Sequence, residues 1–262
     1  MVILSELFNT LLYVPILNFL IFLYWHLWEN LGIAIIAMTI ILRFVLYPLT
    51  KPSMEMARKQ KELQPELDKL KKEYKNKQVL AQKQMELYKK HGANPASGCL
   101  PQIVQLIIVI ALYKVFTNLL SGLFDAAKIN PLLYFDSLKL PLGYQLNTHF
   151  LYLNLSKPDP YYVLPVLAAV SQFFMSKYMM VGSKKNEKLV EGTPDKKDDI
   201  MYNMQNQMMY LLPVMTLIIG IKLPSGLVLY WFVSTMLAIA MYYYVNKRNE
   251  KKDVQKRLAE QS

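Results

Sequence analysis

The chain of 262 residues contains few of the residues that build redox, metal and nucleophilic centres. Its single cysteine, Cys99, cannot form an intrachain disulfide and is expected to pack as a small hydrophobic residue. The three histidines, His26, His91 and His149, are scattered and have no second ligand at metal-binding spacing. Walker-type loops, HExxH and GxSxG are absent, which argues against an ATPase, a zinc protease and a serine hydrolase. We therefore expect no cofactor and no enzymatic chemistry.

Long apolar runs are what the sequence has in abundance. Hydrophobic residues make up 53% of the chain, and they cluster in runs close to the roughly 20 residues that cross a bilayer as a helix. The candidate spans are residues 30–50, 99–121, 161–181, 208–223 and 225–246. The last two are separated only by the link around Pro224, which predicts a tight helical hairpin over 208–246. The sequence thus predicts an all-α integral membrane protein with five transmembrane helices.

Basic residues are distributed unevenly between the connecting segments, and this asymmetry predicts orientation. The segment 51–98 carries twelve basic residues, the loop 182–207 five lysines and the tail 247–262 six basic residues. The loop 122–160 has three lysines balanced by three aspartates. Because Lys and Arg collect in cytoplasmic loops, we expect the N-terminus outside and the C-terminus in the cytoplasm. The lack of a transit peptide favours the plasma (inner) membrane of a prokaryote.

The segments outside the spans have their own patterns. Apolar residues of 51–98 recur every three to four positions, which predicts a cytoplasmic hairpin of two amphipathic helices turning near residues 74–77; they are Leu63, Leu67, Leu70, Leu80, Met85 and Leu87. The basic tail 247–262 is suited to anionic lipid or to ribosomal RNA.

The first 29 residues are apolar but contain Pro15 and Asn18, and the apolar run is short for a span. Tyr24, Trp25 and Trp28 are typical of the headgroup boundary. We therefore predict an interfacial helix on the outer side over 1–29. An extra membrane crossing is the alternative, and it would move the N-terminus to the cytoplasm.

A lone arginine, Arg43, lies within the first candidate span. A guanidinium is always charged and is costly in hydrocarbon, so an intramembrane arginine normally faces protein or a water-filled cavity. Arg43 alone leaves two readings open, because a side chain about two turns from the end of its helix can also snorkel to the headgroups.

Polar residues in the other spans favour the cavity. Thr39 lies one turn before Arg43, Gln105 follows Pro101, Gln172 lies in the third span and Trp231 in the fifth. Each amide alone is typical of ordinary interhelical hydrogen bonding. Together with an arginine, these four residues indicate a hydrated cavity.

Four stretches give the chain its resemblance to the YidC/Oxa/Alb family of membrane protein insertases. They are RFVLYPLTK (43–51), MELYKKHGANPASGCLPQIVQ (85–105), DPYYVLPVLAAVSQFF (159–174) and LLPVMTLIIGIKLPSGLVLYWFVS (211–234). The resemblance implies a five-helix core whose groove is open to the cytoplasm and to lipid and is sealed on the outer side. It matches the family's arginine to Arg43, and the other groove-lining polar positions to Thr39, Gln105, Gln172 and Trp231.

The same resemblance implies an insertase and chaperone for nascent membrane proteins. The hydrated groove would take up hydrophilic substrate tails and release hydrophobic spans into lipid. Implied partners are nascent membrane proteins, membrane lipids, the Sec translocon, and the ribosome through the basic tail and the cytoplasmic loops. The alternative function is a translocon-associated folding scaffold that does not insert substrates by itself. A small transporter is disfavoured because the sequence lacks internal repeats.

Overall fold

Apolar helix-forming runs dominate the chain, and the computed structural model is accordingly mostly helical, as predicted. It describes residues 2–74, 76–92, 100–120, 126–179 and 200–259. The helices are α1 (Val2–Phe8), α2 (Val14–His26), α3 (Leu31–Val45), α4 (Tyr47–Glu73), α5 (Lys77–Lys90), α6 (Leu100–Leu120), α7 (Ala126–Ile129), α8 (Val163–Met179), α9 (Ile200–Lys222) and α10 (Ser225–Ala259). A π-helical turn, Asn9–Tyr13, joins α1 to α2, and a short ribbon pairs β1 (His149–Phe150) with β2 (Leu153–Asn154).

Several helices have the length or composition of membrane spans. In the described part of the chain, Ser5–His26 and Ser225–Arg248 are long and apolar enough to cross a membrane, and Leu31–Val45 with Tyr47–Leu70 would be a third span if that broken pair is counted as one. Shorter apolar helices are Ile103–Leu119, Val163–Tyr178 and Met209–Lys222. These helices overlap all five predicted spans. Their arrangement as five crossings around a groove remains a prediction.

The predicted first span, 30–50, is not one continuous helix. Helix α3 ends at Val45, and α4 begins at Tyr47, with Pro48 in its first turn. Proline has no N–H to donate to the carbonyl of Phe44 four residues earlier, and its ring disfavours helical geometry in the preceding residue. The break at Leu46 therefore follows from Pro48, which lies inside the predicted span.

Some predicted features lie outside the described residues. These are the packing of Cys99, the end of the hairpin segment at 93–98, residue 121 of the second span, the start of the next loop at 122–125, residues 180–181 of the third span, the loop residues 182–199 and the end of the tail at 260–262. The predicted tail does not begin as a separate segment, because α10 continues without a break from Ser225 to Ala259.

The chain divides into two compact units. The first contains residues 1–45, 102–171 and 214–237, and the second contains 46–101, 172–213 and 238–262.

In the first unit, a helical run extends from Val2 to His26, within the predicted range 1–29. Pro15 lies at the start of α2, directly after the π-helical turn, so its missing N–H does not interrupt a regular helix. Helix α2 packs along α3 through a shared apolar core. The buried members are Ile16, Leu17, Leu20, Ile21 and Tyr24 of α2 and Leu31, Ala34, Ile35 and Met38 of α3.

Asn18, which looked unfavourable for an apolar helix, binds the loop that follows α7. Its Nδ2 donates to the carbonyl of Leu132 at 2.9 Å, and its Oδ1 accepts from the backbone N–H of Tyr134 at 2.7 Å. Trp25 Nε1 donates to the carbonyl of Leu138 at 3.4 Å. The N-terminal helix and this loop are therefore held together by side chain to backbone hydrogen bonds.

The β-ribbon contacts two helix ends of the same unit. Gly32 at the start of α3 lies against the Phe150 ring, and an added Cβ would overlap that ring. At the start of α10, the N–H of Ser225 donates to the carbonyl of Lys157 at 2.8 Å, and the N–H of Gly226 donates to the carbonyl of Leu155 at 3.1 Å. The ribbon and the residues after it thus anchor the N-terminal ends of α3 and α10.

The second unit contains the predicted hairpin. Helices α4 and α5 are joined at Asn76, whose side chain caps α5 by accepting from the N–H groups of Gln78 and Val79. Leu63 and Leu67 are buried together with Met56 and Tyr88, whereas Met85 is 40% exposed. Of the apolar positions predicted in α5, Leu87 packs against this cluster and Leu80 is half-buried, so only Met85 departs from the predicted face. A second cluster joins the start of α4 to α10 through Met54, Ala57, Tyr242 and Val245.

Candidate functional site

Arg43 lies near the C-terminal end of α3 and reaches α10. Its Nε donates a hydrogen bond to the backbone carbonyl of Ser234 at 3.0 Å. The side chain is half-buried. This single bond leaves the two terminal amino groups of the guanidinium, with their N–H donors, for other partners.

Three further polar side chains continue from this contact. The hydroxyl of Ser234 donates to Oε1 of Gln105 on α6 at 3.4 Å. Tyr230, one turn before Ser234, lies close to Ser234, Gln105 and the Arg43 guanidinium. Ser234 is 1% and Tyr230 2% exposed, while Gln105 is half-buried. We call Arg43, Gln105, Tyr230 and Ser234 the arginine cluster.

The arginine cluster contains a positive charge without a countercharge. In the described ranges of the chain, the ion pairs join other residues, and no carboxylate lies within ion-pair distance of Arg43. An unpaired charge in an apolar helix is costly and is normally retained for function. The Arg43 guanidinium is therefore suited to binding an anionic group supplied by another molecule.

Two predicted site residues have local partners. The Thr39 hydroxyl is buried and donates to the carbonyl of Ile35 in its own helix at 2.6 Å. Trp231 is half-buried, and its carbonyl accepts from the hydroxyl of Thr235 at 2.9 Å. Thr39 thus bonds the carbonyl four residues earlier, as serine and threonine often do within helices.

Gln172 belongs to the second unit and is 9% exposed. Of the predicted site residues, the structure brings Arg43 and Gln105 into one cluster. Their roles, and those of Thr39, Gln172 and Trp231, remain predictions.

Sequence reasoning missed Ser234 and Tyr230 as members of the cluster. The usable signal was their spacing, because Tyr230 and Ser234 are four residues apart and therefore share a helix face. Serine and tyrosine are common in membrane helices, so neither stood out as the amides did.

No group of three potential metal ligands, counting His, Cys, Asp and Glu, occurs among the residues that the structure describes. The polar atoms of the arginine cluster are a guanidinium, an amide, two hydroxyls and a backbone carbonyl. This set suits hydrogen bonding and charge attraction.

The long apolar helices define the class of the protein, which is a helical integral membrane protein. A family model described as "60Kd inner membrane protein" matches residues 22–252. A relative from Fusobacterium nucleatum, named "Membrane protein insertase YidC", is 38% identical over 220 residues, which cover 84% of this chain and 87% of that protein. The chain therefore belongs to the 60Kd inner membrane protein family, which is the YidC family, and is a multi-pass protein of the bacterial inner membrane.

Other relatives differ in length. "Membrane protein insertase YidC 2" of Bacillus anthracis is 33% identical over 83% of this chain and 72% of its own length. The YidC of Citrifermentans bemidjiense is 34% identical over 89% of this chain, which covers only 36% of that protein. A structure described as "Active YidC insertase crystal structure with the first transmembrane domain resolved" has a similar fold, with a TM-score of 0.58 at 23% identity over 90% of this chain and 46% of that one.

Proposed function

We propose that the protein is a membrane protein insertase and chaperone that inserts nascent membrane proteins through a hydrated groove containing Arg43. The observation that carries the proposal is the half-buried guanidinium, which is bound to the Ser234 carbonyl and has no carboxylate partner in the described ranges. The names of relatives that align along most of this chain support the same activity.

The physical task of an insertase is to move a hydrophilic tail past hydrocarbon. Burying unpaired polar and charged groups costs several kcal/mol each, so an unassisted tail meets a large barrier. A wet groove that reaches from the cytoplasm into the bilayer shortens the apolar distance. Arg43 attracts acidic side chains of the tail, and the hydroxyl and amide groups of the arginine cluster offer further hydrogen bonds.

The step needs no nucleotide, which is why we propose a non-enzymatic protein. Moving about twenty apolar residues of the substrate into lipid is favourable by several kcal/mol. The membrane potential adds about 2.3 kcal/mol per 100 mV for each acidic charge moved outward. These contributions act on the substrate itself, so the protein has only to lower the barrier.

Helix α8 offers a surface for the substrate span. Its exposed apolar residues recur with helical spacing and form a continuous stripe; they are Val163, Val166, Leu167, Val170 and Phe174. An unpartnered apolar stripe is stable against lipid tails or against another apolar helix. We propose that a substrate span contacts this stripe as it moves into lipid. The fifth predicted span, in α10, would have a similar role.

The charge of the two units supports the proposed orientation. Of the 30 Lys and Arg residues, 24 belong to the second unit, as do 14 of the 19 Asp and Glu residues, so the net charges are +10 for the second unit and +1 for the first. Cytoplasmic segments collect basic residues. We propose that the hairpin of α4 and α5 and the basic end of α10 face the cytoplasm, where they can meet the ribosome and the Sec translocon.

The contacts of the N-terminal helix support an interfacial position. Asn18 and Trp25 bind the backbone of the loop 122–160, which we propose lies outside. A helix tied to that loop through successive turns is suited to the outer boundary of the bilayer. Ser5–His26 is long and apolar enough to cross a membrane, and Asn9 and Tyr13 contact successive turns of α6, so a membrane crossing is the alternative. We propose the interfacial assignment for 1–29, with the N-terminus outside. Cysteine crosslinking from position 18 to position 132 in intact cells, combined with an outside-specific label at position 5, tests this assignment, and labelling only after cell lysis would contradict it.

The function is tested by reconstitution. The purified protein, alone in liposomes, is given a single-span substrate with a short hydrophilic tail, and insertion is scored by protection from added protease. Protection well above that in protein-free liposomes supports an autonomous insertase. Protection equal to the protein-free level, with crosslinking of substrate to the protein, would instead favour the translocon-associated scaffold.

A further inference from the structure

A second cation lies within an apolar helix of the first unit. Lys114 occurs in α6 in the run ALYKVF, and its side chain is half-buried. The residue that follows it, Val115, is fully buried, and so is Phe116. Lys114 therefore raises the same question as Arg43, because an ammonium group is costly in hydrocarbon and ordinarily has a polar partner.

The partners of Lys114 come from the N-terminal helix. Its Nζ donates to Oδ1 of Asn9 at 2.6 Å and lies 4.9 Å from the centre of the Tyr13 ring. The Phe8 ring is further away, at 6.0 Å. The next turn of α6 repeats the contact, since Nδ2 of Asn118 donates to the hydroxyl of Tyr13 at 2.8 Å.

These contacts involve a special turn. Asn9 and Tyr13 are the first and last residues of the π-helical turn. Such turns are rare and are frequent at functional sites. Here the turn presents an amide oxygen and an aromatic face to the same ammonium group, so Lys114 is held in a defined position and does not project freely.

The contacts satisfy hydrogen bonding but leave the charge uncompensated. Within the described ranges, Lys114 forms no ion pair with a carboxylate. An amide oxygen and two aromatic rings carry no net charge, and a partly buried cation is stabilised most by an anion. The missing element of this site is therefore an anionic group with oxygen acceptors.

The surroundings identify which anion fits. Lys114 lies six residues before Leu120, about 9 Å along the helix at 1.5 Å per residue, so in the orientation proposed above its ammonium group, bound to Asn9, lies in the outer half of the membrane. Leu7 and Leu11 on the adjoining helical run are exposed by 54% and 62%, which suits contact with acyl chains. A phospholipid offers an anionic phosphate for the ammonium group and acyl chains for the exposed leucines. A soluble anion offers only the charge.

We propose that Lys114, held by Asn9 and Tyr13, binds the phosphate of an anionic phospholipid in the outer leaflet. The lipid supplies the countercharge, and its chains lie along Leu7 and Leu11. The consequence is that anionic lipid stabilises the contact between the N-terminal helix and α6. This site is separate from the arginine cluster and does not depend on insertase activity.

The test measures lipid preference in the full chain. The purified protein in a neutral detergent is titrated with phosphatidylglycerol, or with phosphatidylcholine carrying the same acyl chains, and bound lipid is counted by native mass spectrometry. We expect phosphatidylglycerol to bind about fivefold more tightly than phosphatidylcholine, the factor expected for one basic residue near a membrane surface. A third titration with inorganic phosphate distinguishes a lipid site from a free phosphate site.

Variants separate the charge from the packing. Lys114→Gln should abolish the fivefold preference, and Lys114→Arg should keep it. Asn118→Ala removes the neighbouring hydrogen bond but leaves the cation, so it should lower thermal stability and retain the preference. Lys222→Gln removes an exposed lysine at the end of α9 and is the matched control with unchanged preference. The proposal is overturned if Lys114→Gln keeps the preference, if wild type has none, or if inorganic phosphate competes as well as the lipid.

Discussion

Asn18 gives a prediction whose magnitude can be worked out from individual hydrogen bonds. The residue is 4% exposed and makes two contacts across the unit, one to the Leu132 carbonyl and one from the Tyr134 N–H. Asn18→Ala removes both. Each hydrogen bond contributes about 0.5–1.5 kcal/mol, so the loss is about 1–3 kcal/mol before any compensation.

Part of this loss is offset because alanine is the better helix former, by up to about 0.7 kcal/mol relative to asparagine. The net cost of losing the contact between the loop and α2 is then about 0.3–2.3 kcal/mol, which corresponds to about a twofold to fiftyfold change in an opening equilibrium. Since the contact joins a loop to a helix, we expect local opening more than global unfolding.

Hydrogen exchange measures this opening directly. The amide hydrogen of Tyr134 is the one that Asn18 accepts, at 2.7 Å between the heavy atoms. Exchange in a peptide covering 130–138 should accelerate by about the factor given above in Asn18→Ala. Gln145→Ala, which alters an exposed side chain of the same loop, is the control and should leave the rate unchanged. Equal exchange rates in wild type and Asn18→Ala would refute the reasoning.

Two further predictions concern stability. Gly226→Ala places a Cβ 3.1 Å from the Leu155 carbonyl and should lower the free energy of unfolding by about 1–3 kcal/mol. Gly220→Ala, whose added Cβ has its nearest contact at 3.4 Å, should be neutral or slightly stabilising. Thermal unfolding of the two variants tests this difference, and equal midpoints would contradict the packing argument. Burial, with hydrogen bonds to Tyr24 and Glu29, raises the pKa of the Tyr144 hydroxyl. Its stabilising contribution is therefore fully present below about pH 10 and is lost as pH rises toward the raised pKa. Unfolding midpoints measured from pH 8 to pH 11.5 should fall less steeply in Tyr144→Phe, and identical slopes would count against this role.

The helical class of the protein was predictable from the sequence, and Arg43 and Gln105 could be identified there as candidate polar residues inside apolar helices. Both depend on contrast, because a long apolar run identifies a helix that can be buried in lipid, and a polar residue inside such a run is conspicuous. Arg43 and Gln105 were selected for this reason, and the structure brings them together through Ser234.

The local partners were less predictable. Thr39 was grouped with Arg43 because both are polar and one turn apart, but its hydroxyl bonds the Ile35 carbonyl. Whether a threonine bonds its own helix or a neighbouring side chain depends on its rotamer, which sequence spacing does not determine. Tyr230 and Ser234 gave no signal of a site in the sequence, because serine and tyrosine are common in membrane helices.

The N-terminal region shows how tertiary contacts change the meaning of a residue. Pro15 and Asn18 argued against a membrane span, since each is unfavourable inside an apolar helix. The π-helical turn accommodates the proline, and the loop after α7 provides partners for the asparagine. Neither compensation is local in sequence, so neither could be inferred from the residues around it. Lys114, by contrast, carried the same signal as Arg43 and was detectable in the same way.

The central claim is that the charge of Arg43 draws acidic substrate tails into the groove. The most direct test compares insertion of two single-span substrates, one with an acidic tail and one with a neutral tail of equal length, into liposomes containing wild type, Arg43→Lys or Arg43→Ala. Arg58→Ala, which removes a basic residue of the hairpin formed by α4 and α5, is the control. We expect Arg43→Ala to lower insertion of the acidic tail about tenfold or more, because at least about 1.4 kcal/mol of attraction is lost. Insertion of the neutral tail should change little. Arg43→Lys should insert the acidic tail to an intermediate level. Equal insertion of the acidic tail by wild type and Arg43→Ala would contradict the central claim.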